Sequence, residues 1–221
     1  MKQGKSIAAT LPHLVFLPTS TGKEFPTIIA NHGRGADEND LVPLLLALEL
    51  SNLVLITPRA PFAFPYGGYA WYSLGPEGVP DAETFRTSLT LYHRFVDEVK
   101  AAYPVDPEQL VLLGFSQGTV IAYATALGDP SAFRGIVALS GYVPTQSGVA
   151  LQLSELTGFP VFISHGSNDP MIPVRLGQES AELLRRAGAE VAYHEYSMGH
   201  EVTEGALRDL REWLRELLPS A

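Results

Sequence analysis

Ser116 stands in the stretch LLGFSQGTV (112–120), with Gly114 and Gly118 two positions to either side. A serine framed in this way is a candidate nucleophile. Two glycines let the chain bend sharply from a strand into a helix and leave the hydroxyl exposed at the bend. The apolar run Leu110–Leu113 comes before it and the alanine-rich Thr119–Leu127 after it, so both flanks of such a turn are present. A helix N-terminus beside the hydroxyl favours negative charge developing there. A serine that merely caps a helix would look much the same. The decision falls to the partners, because a hydroxyl is a weak nucleophile without a base, and the base needs an orienting acid.

Six histidines compete for the role of base. His13 and His194 fall within strand patterns and His93 within a helical one. His165 ends an apolar run and leads straight to Asp169, which suits a structural role in that turn. His200 differs, standing in YSMGHEVTEG between the last strand pattern and the last helix pattern. For the acid, Asp169 lies in HGSNDPMIP, a turn fixed by Pro170, directly after an apolar run. Asp129 also precedes a proline but follows a helix, and Glu195 belongs to a strand. The chain order Ser116, Asp169, His200, each after a successive strand, is the order found in α/β hydrolases. The stretch NHGRGADEND (31–40) supplies a fourth part. Main-chain N–H groups of Arg34 and Gln117 are placed to form an oxyanion hole, and His32 is expected to hold that turn and not to act as a base. The string lacks the Lys-Ser/Thr ending of a phosphate loop.

These residues need a frame that brings distant loops to one edge. Strand patterns run over His13–Leu17, Thr27–Asn31, Leu53–Thr57, Leu110–Gly114, Gly135–Leu139, Val161–His165 and Val191–Tyr196. Most are apolar on both faces, as expected of strands covered by helices on each side. Helical patterns cover Asp37–Leu50, Glu83–Tyr103, Gln117–Leu127, Val174–Ala187 and Thr203–Leu218. The alternation predicts one α/β domain over residues 1–221, with a mostly parallel sheet of about seven strands between helices. Two stretches fit neither period. Residues 58–81 are dense in Pro, Gly and aromatics, and residues 141–158 follow a strand; both are expected to be loops that cover substrate.

Composition narrows the partners. The 221 residues carry a net charge of −9 and no cluster of Lys and Arg, which disfavours nucleic acid and anionic membrane surfaces. With no cysteine, disulfides, thiolate zinc sites and cysteine nucleophiles drop out. The first residues lack the apolar core of a signal peptide and no run is long enough to span a bilayer, which reads as a cytoplasmic protein.

Taken together, NHGRGADEND, GFSQGTV, LSGYVP, HGSNDPMIPV and MGHEVTEGALRDLREWL resemble the phospholipase/carboxylesterase family of α/β hydrolases, the compact esterases related to acyl-protein thioesterases. The likeness runs from about residue 13 to 218. It implies the α/β-hydrolase fold, Ser116 as nucleophile, Asp169 as acid, His200 as base, and the Arg34 and Gln117 amides as oxyanion hole. By position it also implies an acyl pocket lined by Trp71, Tyr142 and Met171. No metal or organic cofactor is required. Family thioesterases often carry Leu where this chain has Arg34, and the 58–81 segment departs from their pattern. Both differences favour a serine carboxylesterase acting on short to medium acyl esters. The other readings are a thioesterase or lysophospholipase for long acyl chains, a peptidase of similar fold that would cleave amides and, more remotely, a small-molecule receptor that kept the cavity. The expected partner is a small ester, and a homodimer stays open.

Overall fold

The computed structural model describes residues 1–75, 79–218 and 221. The strands are β1 (Lys2–Gln3), β2 (His13–Leu17), β3 (Phe25–Asn31), β4 (Val54–Pro58), β5 (Phe62–Ala63), β6 (Tyr69–Ala70), β7 (Val105–Phe115), β8 (Gly135–Leu139), β9 (Pro160–Gly166) and β10 (Glu190–Tyr196). The helices are α1 (Val42–Ala47), α2 (Ala82–Ala102), α3 (Gln117–Ala126), α4 (Val174–Arg186) and α5 (Glu204–Leu217).

Among the described residues one sheet of eight strands runs in the order β1-β2-β4-β3-β7-β8-β9-β10. The run from β4 to β10 is parallel, and β1 and β2 add antiparallel strands at one edge. All seven expected strands are present. The eighth, β1, is two exposed polar residues too short to carry any periodicity. Alternating side chains sort the core into two layers. Ile29, Ile56, Leu110, Leu112, Ile136, Val161 and Ile163 pack under α2, α3 and α4. Ile28, Leu55, Val111, Leu113, Val137 and Phe162 face α1 and α5 on the other side.

The first helix is shorter than its pattern suggests. Pro43 would sit inside a helix running from Asp37, where it lacks an N–H to donate and its ring crowds the carbonyl four residues back. The helix therefore starts at Val42 with the proline in its first turn, and Glu49, at φ 52°, ends the segment. The residues before it form a turn in which the Asp37 carboxylate accepts the Asn39 N–H at 2.8 Å.

The direction of chain crossing reverses between β3 and β7, which are adjacent and parallel. At such a switch point the outgoing loops part and leave a crevice at the carboxyl ends of the strands. The stretch containing Arg34 leaves from β3 and Ser116 leaves from β7, so both open into that crevice. In the 58–81 segment β5 and β6 form a small antiparallel hairpin, and residues 76–78 lie outside the described residues. The 141–158 segment faces the crevice over only part of its length. Residues 142–147 face the crevice, but the rest turns back along α3, where the Gln152 N–H donates to the Leu127 carbonyl at 2.7 Å.

Candidate active site

Ser116 has φ 54° and ψ −119°, a backbone conformation that side chains rarely adopt. The flanking glycines explain how the chain reaches it. A Cβ on Gly118 would lie 2.0 Å from the Asn31 carbonyl oxygen, and one on Gly114 would lie 2.3 Å from the Thr119 nitrogen. The start of α3 thus presses against β3, and no side chain fits between them. Gly118→Ala should consequently cost more than about 3 kcal/mol, because backbone and not a flexible side chain blocks the new methyl. A large fall in urea midpoint is the expected result.

Among the described residues the Ser116 hydroxyl has no hydrogen-bond partner, and it faces a cavity of about 650 Å³. The N–H of Gln117 opens α3, where helical geometry provides no acceptor. Gly33 adjoins the same spot, since a Cβ built on it would lie 3.5 Å from the Ser116 Cβ. The adjoining loop is fixed from several sides. The Gly35 N–H donates to Tyr69 at 2.7 Å, and Tyr69 returns one to Ala36 at 2.8 Å. Glu38 receives both Nε and Nη2 of Arg59, whose Nη1 donates to the Tyr69 hydroxyl at 3.2 Å.

His32 holds this loop as expected. Its Nε2 accepts the Ala60 N–H at 3.0 Å, which puts the ring proton on Nδ1, 2.7 Å from the Gly33 carbonyl. Burial lowers its pKa, against the pull of the Gly33 carbonyl and nearby carboxylates, so the ring stays neutral.

His200 Nδ1 lies 2.7 Å from Asp169 Oδ2. The imidazole rests on the Phe115 ring, centroids 4.8 Å apart, one residue before the serine. Asp169 has its other oxygen occupied by the Met171 and Ile172 N–H groups at 2.8 and 2.9 Å. Burial raises the Asp169 pKa, but the His200 hydrogen bond and these two N–H groups outweigh it and hold the carboxyl below its ordinary value. His165 is fully buried beneath this turn, with Nε2 2.8 Å from the Ile172 carbonyl, the structural role its position suggested.

Tyr142 and Met171 line the cavity, but Trp71 does not. The indole is fully buried, its N–H donates to the His32 carbonyl at 2.9 Å, and it packs edge-on against Tyr92. The neighbouring Tyr72 faces the cavity instead. Sequence reasoning missed it because a loop has no period to say which of two aromatics points inward. Burial, followed by the Tyr142 charge and hydrogen bond, pushes the Tyr72 phenol well up, against the opposing pull of Arg34. The Gln117 side chain was missed as well. It accepts the Trp71 N–H at 3.0 Å and donates to the Tyr72 carbonyl at 2.9 Å, tying the aromatic segment to the turn that carries Ser116.

The family model described as phospholipase/carboxylesterase matches residues 16–218. The chain belongs to that family. Its relatives include Carboxylesterase SOBER1 of Arabidopsis thaliana, 29% identical over 183 residues, covering 77% of this chain and 79% of that one. Acyl-protein thioesterase 1 of Candida albicans is 27% identical over 227 residues, covering 91% and 96%. The crystal structure of the Bacillus cereus carboxylesterase superposes with a TM-score of 0.83 at 28% identity, covering 95% of this chain and 96% of that chain. This member of the phospholipase/carboxylesterase family therefore has the α/β-hydrolase fold and is a carboxylesterase-type hydrolase acting on esters. Among the described residues, none of its helices is long and apolar enough to cross a membrane.

Proposed function

We propose that the chain is a serine carboxylesterase for short to medium acyl esters, with Ser116 as nucleophile, His200 as base and Asp169 as its orienting acid. One observation carries this reading: the Asp169–His200 hydrogen bond, its imidazole tilted against Phe115, next in the chain to a serine held at φ 54° over an open cavity. His200 takes the Ser116 proton on Nε2 as the oxygen attacks the ester carbonyl. The Arg34 and Gln117 N–H groups receive the negative charge that forms on the carbonyl oxygen. Collapse breaks the bond to the alcohol, which leaves with the proton from His200. Water then attacks the acyl-serine with His200 again as base, releasing the acid and restoring the hydroxyl. Tyr72, Tyr142 and Met171 are the substrate-facing side chains of this scheme.

A fluorophosphonate probe with peptide mass spectrometry tests the assignment. Label on Ser116 is expected, and label on any other residue would sink it. A second reading, hydrolysis of long-chain thioesters, is favoured by the thioesterase named among the relatives and by the apolar Leu74, Met171, Leu176 and Leu183 around the cavity. A parallel series of esters and thioesters with C2 to C16 acyl groups separates the two by where kcat/KM peaks.

A further inference from the structure

The cavity has two unlike sides. Ser116 follows β7, which lies between β3 and β8 in the sheet. Met171, Leu176 and Leu183 come from the β9–α4 connection and from α4, on one side of the serine. Arg34 comes from the loop after β3, on the other. An ester centred on Ser116 thus lies between Arg34 on the β3 side and, on the α4 side, these apolar side chains together with Arg175 and Glu179.

That guanidinium is uncommitted. Three charged side chains line the cavity among the described residues: Arg34, Arg175 and Glu179. Arg175 and Glu179 are paired with each other. The acidic residues of Arg34's own loop are engaged elsewhere, Glu38 with Arg59 and Asp37 with Asn39. Among the described residues no carboxylate pairs with Arg34. Its guanidinium lies instead over the Phe64 ring, 5.4 Å from the centroid. A cation–π contact of this kind holds the group in place without neutralising it. In a chain of net charge −9, a cation without a carboxylate partner on a residue that lines the same cavity as Ser116 opposes the overall field.

Resting on the serine-esterase reading above, we infer that Arg34 selects esters whose alcohol half carries a carboxylate: O-acyl derivatives of small hydroxy acids. Its main chain meets the carbonyl oxygen, so its side chain reaches groups only a few bonds beyond the scissile bond. The planar fork of arginine matches a carboxylate with two parallel hydrogen bonds. One unpaired cation also balances the single charge of a carboxylate. Hydrolysis then adds water across the ester, giving the free acyl acid and the hydroxy acid.

The test uses carboxymethyl butyrate and its uncharged carbamoylmethyl counterpart, two esters of nearly equal shape, followed by pH-stat. Each enzyme supplies its own ratio of kcat/KM, so general damage to the oxyanion loop cancels. The wild type should favour the carboxylate at least ~10-fold at low salt, the scale of a charge-assisted pair, and the preference should shrink as salt rises. Arg34→Gln should reduce the ratio at least ~10-fold and Arg34→Glu should invert it. A wild-type ratio of one or below overturns the inference whether or not the variants fold. A ratio unmoved by Arg34→Gln also overturns it, as does a stronger preference for the matched phosphonomethyl ester. Turnover of the uncharged ester with Ser116 labelled leaves the serine-esterase reading standing in each of these cases. If neither ester turns over and Ser116 takes no label, that underlying reading fails instead.

Discussion

Ser116→Ala should lower kcat/KM by roughly 10⁴–10⁶-fold, the loss seen when the nucleophile of a serine triad is removed. The residual rate would come from substrate binding and the oxyanion N–H groups alone. Folding should survive, because the hydroxyl has no hydrogen-bond partner among the described residues and alanine meets the same backbone strain. Ser116→Gly makes the point more sharply. Glycine adopts φ 54° and ψ −119° without the clash that a Cβ brings, so this variant should be inactive yet more stable by about 1 kcal/mol. Urea titrations of the three proteins, beside rates on one ester, check both halves. A Ser116→Gly variant less stable than the wild type would mean that the turn is not strained.

The strained serine was visible in the sequence because its cause is local. Glycines at 114 and 118 are needed where two backbones touch, and such a requirement leaves a residue-type signature. The seven main strands were legible for a related reason: burial on both faces leaves little choice but apolar side chains. The positions of Asp169 and His200 followed from the chain order of strands and loops, since every parallel strand delivers its loop to the same edge. What escaped was set by packing in three dimensions. Nothing in the string AWYS tells that Trp71 turns inward to the His32 carbonyl while Tyr72 faces the cavity. The Gln117 side chain reaches Trp71 and Tyr72, more than forty positions away, and no spacing rule covers such a contact. The Arg59–Glu38 pair and the return of residues 148–158 along α3 were hidden for the same reason.

Asp169→Asn should lower kcat by about 10⁴-fold while leaving the site's shape intact, as for the matching change in other serine triads. One carboxylate oxygen accepts the Met171 and Ile172 N–H groups, and that demand selects the amide oxygen of asparagine for the same place. The amide NH₂ then faces His200 Nδ1, where Oδ2 accepted before. A donor there forces the ring proton onto Nε2, so the nitrogen needed by Ser116 can no longer take a proton. The change isolates tautomer from geometry: KM should move little while kcat collapses. Stability adds a second readout. The Asp169 carboxyl titrates below its ordinary value in the folded chain, so its contribution is full above the unfolded pKa, ~3.9, and fades as pH falls through the lower folded value. The stability difference between wild type and Asp169→Asn should therefore be constant at neutral pH and narrow below about pH 4. A gap that widened on acidification would show that the carboxylate is not held by the donors around it.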